Sequence, residues 1–220
     1  DFDNWLFLNQ GAFGSPFQFG LDRAQEWREF CEKQPLNYFD RILLPHMVDS
    51  VKSVASFLNV EPQRLLPTQN VTTSLNTIMN CVQRNDTVVV IRPGYGANIK
   101  IAQSKLDRLI PKKNVFSLII EDRYRRLGVD DIIGAINDRL PPESIGSSGK
   151  TFFLLEHISS HDALQSPLIE MSRLIRNKYK KSIILIDAAH TLGSNLSLPL
   201  KSQTNCYIAA NLHKWFGAPR

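Results

Sequence analysis

The stretch Ser182-Ile-Ile-Leu-Ile-Asp-Ala-Ala-His-Thr191 decides the fold, together with Cys206-Tyr-Ile-Ala-Ala-Asn-Leu-His-Lys-Trp-Phe-Gly-Ala-Pro219. In each stretch a run of mostly apolar residues leads into polar ones. A short apolar run of this kind is typical of a strand that is buried on both faces of a sheet. The first run ends in an acid, Asp187, and the second leads into a lysine, Lys214. We therefore expect a carboxylate and an amine at the ends of two strands of one sheet.

Similar apolar runs alternate with amphipathic segments along most of the chain. The predicted strands are Thr87–Ile91, Val115–Ile120, Thr151–Leu155, Ile183–Ile186 and Cys206–Ala210. The predicted helices are Asp22–Glu32, Leu43–Leu58, Val71–Cys81, Ala97–Leu106, Val129–Arg139 and Pro167–Tyr179, with a polar loop over Pro141–Lys150. This alternation predicts an α/β fold with a mostly parallel (mixed) sheet and helices on both faces. Ligands of such sheets bind at the carboxyl ends of the strands.

Composition limits the class of protein. The chain has 220 residues, 43% of them hydrophobic and 21% charged, which suits one large domain or two small ones. Its net charge is only +5, and its densest basic clusters, Arg123–Arg126 and Lys178–Lys181, lie at predicted helix ends. We interpret them as solvated helix ends rather than a nucleic-acid surface. No run is long enough for a membrane span. Three widely spaced cysteines favour a reducing, cytoplasmic location over disulfides or zinc.

The acid and the lysine together are what a pyridoxal 5'-phosphate (PLP) enzyme needs. Lys214 would hold the cofactor aldehyde as a Schiff base, and Asp187 would keep the pyridine nitrogen protonated. His190, three residues after the acid, could reach the phenolic oxygen of the same ligand. Each residue also has a structural explanation: a helix-capping acid, a lysine with an exposed head, and a surface histidine.

Two further segments have the features of a ligand site. Thr68–Asn76 places several hydroxyl groups at a helix N-terminus, where free N–H groups suit a phosphate, although plain helix capping is the more frequent use of such residues. The absence of a glycine-rich nucleotide loop disfavours a nucleotide-binding protein. Tyr95 lies between two glycines after a strand and could stack on a ligand ring or pack on a neighbouring helix.

In this order, these motifs resemble class V aminotransferases of PLP fold type I, especially the isopenicillin N epimerase-like branch. The resemblance covers nearly the whole chain. The matching motifs are Leu8–Gly14, Asn70–Thr73, Tyr95–Ala97, His157–Ser160, Asp187–His190 and Asn211–Trp215.

The resemblance implies a contact for each of nine residues. Lys214 would form the Schiff base, and Asp187 would pair with the pyridine nitrogen. The others are His190 at the phenolic oxygen, Tyr95 on the ring, Ser160 near it, Val71, Thr72 and His213 at the phosphate, and Asn9 near the substrate.

The resemblance also implies the organisation of the protein and its activity. We expect an N-terminal segment over residues 1–20, an incomplete PLP-binding large domain over 21–220, no C-terminal small domain, and a homodimer in the intact protein. The favoured activity is epimerisation or transamination of an amino-acid-like substrate. A cysteine desulfurase or C–S lyase is the alternative, because these reactions share their first step. A non-catalytic PLP-fold domain is the third hypothesis.

Overall fold

The computed structural model describes residues 4–92, 94–108, 115–119, 130, 134, 136–138, 149–194 and 206–220. Its centre is a five-stranded parallel sheet. The strands are β1 (Thr87–Arg92), β2 (Val115–Ile119), β3 (Thr151–Glu156), β4 (Ser182–Asp187) and β5 (Cys206–Ala209). All five predicted strands are confirmed, with ends that differ by one residue at most.

The order of the described strands is β2-β1-β3-β4-β5, and every pairing is parallel. The chain passes from β1 to β2 on one side and then continues from β3 to β5 on the other side of β1. The direction of winding therefore reverses between β1 and β3. In an open α/β sheet the crevice at such a reversal, outside the carboxyl ends of the strands, is where ligands bind.

Side chains of the central strands alternate between two apolar cores because successive residues of a strand face opposite ways. Phe153 and Leu155 pack into one core, and Phe152 and Leu154 pack into the other. All four are essentially inaccessible to solvent. Burial on both faces explains why these strands read as continuous apolar runs rather than as an alternating pattern.

Helices cover the two faces. The described helices are α1 (Gln10–Phe13), α2 (Gln18–Lys33), α3 (Pro35–Asn37), α4 (Leu43–Leu58), α5 (Val71–Met79), α6 (Gly96–Arg108) and α7 (Leu168–Lys178), with a π-helical turn over Tyr38–Ile42 and a 3-10 turn over Pro62–Arg64. Apolar residues of α7 lie in the same core as Phe153, and those of α5 and α6 lie in the core of Phe152.

The predicted helices agree with α2 and α4 to α7, and the bounds of α4 are as expected. Helix α2 extends four residues further towards the N-terminus than predicted. The short elements α1 and α3 and the π turn were not predicted, because segments of three to five residues carry too little periodicity. Most of the helix predicted over Val129–Arg139, the loop Pro141–Lys150 except its last two residues, and the cluster Arg123–Arg126 lie outside the described residues.

Within the described ranges, none of the helices is both long enough and apolar enough to span a bilayer.

Candidate functional site

A cavity of about 490 Å³ opens at the carboxyl edge of the sheet. Its walls come from the ends of β3 and β4, the segment after β5 and the N-terminal end of α5. The lining includes Val71, Thr72, Tyr95, Ser160, Asp187, His190, His213 and Lys214. Eight of the nine predicted site residues are thus brought together from distant parts of the chain, and Asn9 is not among the lining residues.

Asp187 ends β4 and is buried, with 6% of its surface exposed. Its Oδ1 accepts a hydrogen bond of 3.0 Å from the Ala189 N–H, and its Oδ2 accepts one of 2.7 Å from Asn98 Nδ2. These two donors offset part of the cost of burying a carboxylate. The carboxylate is therefore fixed in orientation at the base of the cavity.

Lys214 follows β5 and shares the cavity with Asp187. Burial lowers the pKa of the Lys214 amine, while the charges of Asp187 and Glu156 oppose this shift. An amine whose pKa is lowered by burial has a larger neutral, nucleophilic fraction at neutral pH. The negative charges of the two acids preserve part of the proton affinity of the amine. The amine can therefore act both as a nucleophile and as a proton carrier.

His190 contacts Trp215. The indole Nε1–H of Trp215 donates to His190 Nδ1 at 3.2 Å. Burial and the nearby Lys214 lower the pKa of His190, against the opposing charge of Asp187. The imidazole is consequently neutral at neutral pH with its proton on Nε2, which leaves Nε2–H as a donor. Gly11 lies against this ring, since a Cβ there would come within 3.0 Å of His190 Nδ1.

The N-terminus of α5 is held by two asparagines. The Asn70 side chain caps the helix by accepting from the Thr73 N–H at 2.8 Å. Asn211, beyond β5, accepts from the Val71 N–H at 3.1 Å. Among the described residues, no acceptor is bonded to the Thr72 N–H. Thr72 therefore offers a free donor to an anion in the cavity, whereas the Val71 N–H is already used.

His213 and Arg220 also line the cavity. Burial lowers the pKa of His213, and the charges of Arg220 and Lys214 lower it further. The Arg220 guanidinium donates to the Phe13 carbonyl oxygen at 2.6 Å. The cavity thus combines a helix N-terminus and cationic side chains with the carboxylate of Asp187.

Tyr95 and Ser160 are anchored through their backbones rather than their side chains. The N–H groups of both donate to the carboxylate of Glu156, which ends β3. The Tyr95 side chain is 47% exposed, so it is accessible to a ligand.

The N-terminal residues pack against the segment that follows β5. Gly14 has a φ of 77°, and a Cβ there would overlap the carbonyl oxygen of His213. The Phe17 N–H donates to the Gly217 carbonyl at 3.0 Å. The Asn9 side chain caps α1 by accepting from the Ala12 N–H at 3.2 Å, so it makes this local hydrogen bond and does not line the cavity.

Several polar residues of the site were missed in the sequence, among them Glu156, Asn211 and Asn98. Glu156 directly follows the apolar run of β3, just as Asp187 ends that of β4, so the same signal could have found it. Asn211 stands at the start of a motif that was singled out for its histidine and lysine. Asn98 lies within α6, and the sequence does not indicate its contact with the site, because asparagine is common near helix starts.

Among curated proteins, the chain is similar to two L-cysteine desulfhydrases of Arabidopsis thaliana. One, named "Probable L-cysteine desulfhydrase, chloroplastic", is 22% identical over 96% of this chain and 46% of its own length. The other is 24% identical over 96% of this chain and 48% of its own length. The chain therefore spans about half the length of these relatives. No family model matches the sequence.

Solved structures share the fold. The cystine C–S lyase C-DES, in complex with its reaction product cysteine persulfide, superposes with a TM-score of 0.76 at 20% identity, over 97% of this chain and 54% of that one. A C-DES mutant with glycine linked covalently to its PLP cofactor gives the same score at 19% identity, over 99% of this chain and 55% of that one. A NifS-like protein gives 0.68 at 15% identity, over 98% of this chain and 56% of that one.

These similarities confirm the predicted α/β fold of PLP fold type I. The reported relatives are cysteine desulfhydrases and a C–S lyase, so the predicted epimerase-like branch stays a prediction.

Proposed function

We propose that this chain forms the PLP-binding part of an enzyme that cleaves the carbon–sulfur bond of cysteine or a related amino acid. One observation carries the proposal. Lys214 and Asp187 line the same cavity, and the N-terminus of α5 contributes a free N–H group to it. The names of the relatives and of C-DES support this substrate class, because both types act on sulfur amino acids.

The residues present fit the cofactor. The free Thr72 N–H and the neighbouring hydroxyls suit its phosphate, Asp187 suits its pyridinium N–H, and the neutral Nε2–H of His190 suits its phenolic oxygen. Lys214 would attach to its aldehyde, with Tyr95 and Ser160 beside the ring and Val71 and His213 near the phosphate. When bound, PLP stores the electron pair that is released as the Cα–H bond of the substrate breaks.

Lys214 moves the proton in this proposal. Its Nζ, once free, would take the proton from the substrate Cα and would later return a proton. From L-cysteine and water, the overall products would be sulfide, pyruvate and ammonia. His190 would orient the ligand through its Nε2–H.

Epimerisation or transamination, the activity favoured from sequence, is less well supported than C–S cleavage. Both need the same lysine and acid, so the geometry of Lys214 and Asp187 does not separate them. The names of the relatives favour C–S cleavage. Release of sulfide from L-cysteine separates the reactions directly.

The test measures sulfide and pyruvate release from L-cysteine by the PLP-loaded protein, with L-alanine as a substrate that lacks sulfur. We expect equimolar sulfide and pyruvate, both lost in Lys214→Ala. Binding of PLP without either product, but with inversion or amino transfer on L-alanine, would instead favour the epimerase or aminotransferase. Binding without any turnover would favour a non-catalytic domain.

We further propose that two copies of the chain associate as a homodimer through the N-terminal helices. No residue of α2 is buried, and large apolar side chains are exposed on and around it, including Phe13, Phe19, Leu36 and Leu44. Exposed apolar side chains that cluster on one surface are typical of a protein–protein interface. Sedimentation velocity tests the dimer, and a monomer with a full complement of PLP would refute it.

We also propose that the chain divides into an N-terminal segment (1–20) and a large domain (21–220), and that the protein has a cytoplasmic location.

A further inference from the structure

Two carboxylates lie side by side at the floor of the cavity. In the parallel pairing of β3 with β4, Glu156 stands directly opposite Asp187. Both line the cavity. Burial raises the pKa of Glu156, and the charge of Asp187 adds to this shift, against hydrogen bonds from Tyr95, Ser160 and Asn98. Two acids so placed repel each other unless a donor lies between them.

Asn98 supplies that donor. Its Nδ2 lies 2.7 Å from Asp187 Oδ2 and 3.4 Å from Glu156 Oε1. The side chain is 2% exposed, and its Oδ1 has no hydrogen-bond partner among the described residues. The opposite amide orientation would turn Oδ1 towards two carboxylates and is therefore disfavoured. The two acids thus set the orientation of the Asn98 amide, and the amide in turn sets the orientation of the Asp187 carboxylate.

Glu156 also joins two loops. Its Oε1 accepts from the Tyr95 N–H after β1, and its Oε2 accepts from the Ser160 N–H after β3 at 3.3 Å. Gly94 leaves room for this contact, because a Cβ there would come within 2.8 Å of Glu156 Oε1. A single carboxylate thus sets the backbone position of two residues on the cavity wall.

We propose that Glu156 and Asn98 are positioning residues of this site: Glu156 fixes the backbone at Tyr95 and Ser160, and Asn98 orients the carboxylate of Asp187. The inference rests on the proposed function for the identity of the ligand that Asp187 and Tyr95 contact. The contacts among the four residues do not depend on that identity.

The first experiment tests the network in the cofactor-free protein. The unfolding equilibrium constants of Asn98→Ala, Glu156→Ala and the double variant are measured in urea. When the Asn98 amide is removed, Asp187 and Glu156 face each other without a donor between them, and this happens only while Glu156 is present. The substitution should therefore cost more in the wild-type background than in Glu156→Ala, by a factor of about three or more in the equilibrium constant. Equal costs in the two backgrounds would overturn the proposal. Asn76→Ala, on the exposed side of α5, is the matched control.

The second experiment uses PLP itself. The dissociation constant should rise about tenfold or more in Asn98→Ala, because Asp187 loses a charge-assisted hydrogen bond. In Glu156→Gln, the pH at which the bound cofactor changes its absorbance should fall, because one negative charge near the Lys214 nitrogen is lost. The other charged or titratable groups facing that nitrogen are Asp187, His190, His213 and Arg220. Glu170→Gln, on an exposed turn of α7, should leave this pH unchanged.

The two arms separate the possible failures. If the wild-type protein binds no PLP, the proposed function is wrong. The contact network is then tested only by the energetic coupling between Asn98 and Glu156 in the unfolding experiment. If PLP binds but neither its affinity in Asn98→Ala nor the titration in Glu156→Gln changes, the positioning role is wrong while the proposed function stands.

Discussion

Replacement of Asn211 by alanine tests how the cavity is joined to its anion-binding end. Asn211 and Val71 are both buried, with 6% and 3% of their surfaces exposed, and the Asn211 side chain accepts the Val71 N–H at 3.1 Å. The alanine variant leaves that N–H without its acceptor. An unsatisfied buried donor costs about 1–3 kcal/mol. We expect the lower half of this range, about 1–2 kcal/mol, because water from the cavity can reach the freed N–H.

The assay is urea unfolding of the cofactor-free protein at pH 7.5, followed by tryptophan fluorescence. Asn211→Asp serves as the comparison, since it keeps an acceptor for the Val71 N–H and should lose less stability than Asn211→Ala. Its negative charge should still weaken PLP binding by repelling the phosphate. Asn76→Ala controls for the residue type. A loss below about 0.5 kcal/mol in Asn211→Ala, within the range of ordinary surface substitutions, would refute the reasoning.

Three further predictions concern other parts of the structure. Gly14→Ala should detach the N-terminal residues and weaken PLP binding, because the new Cβ would overlap the His213 carbonyl at a positive φ; limited proteolysis reports the detachment. His157 is buried and its pKa is lowered by burial, so it binds a proton more readily in the unfolded chain. Stability should therefore fall as the pH drops from about 7 to 5.5, and less so in His157→Gln. Burial raises the pKa of Cys206 to about 11, so iodoacetamide at pH 8 should label exposed Cys81 well before it, as peptide mass spectrometry would show.

Each of these has a control and an outcome that contradicts it. Gly96→Ala meets no atom within 4 Å and should behave as wild type; similar proteolysis of the two glycine variants would argue against the contact. For the histidine, an unchanged pH dependence in His157→Gln would show that its protonation does not matter. Labelling of Cys206 as fast as Cys81 would contradict its burial.

Much of the fold was predictable from sequence because the sheet is buried on both faces. Strands such as Thr151–Glu156 then appear as unbroken apolar runs, and the polar residue that ends each run marks the edge where ligands bind. Asp187 and Lys214 could be placed at that edge for this reason.

The parts that could not be predicted depend on contacts between distant residues. Asn98 contacts two carboxylates at the ends of β3 and β4, and nothing in its own helix indicates this. Asn9 was expected near the substrate; its side chain caps α1, and its contact with a substrate stays a prediction. The hydrogen bond of the Val71 N–H could not be predicted either, because its acceptor, Asn211, lies 140 residues away.

Trapping of the cofactor on its lysine tests the central claim most directly. The protein is incubated with PLP, reduced with borohydride, digested and mapped by mass spectrometry. One pyridoxyl group per chain on Lys214 is expected, with labelling strongly reduced in Asp187→Ala at limiting PLP. Stoichiometric labelling of a different lysine, or equal labelling of Lys214 with and without Asp187, would contradict the claim that these two residues hold one cofactor.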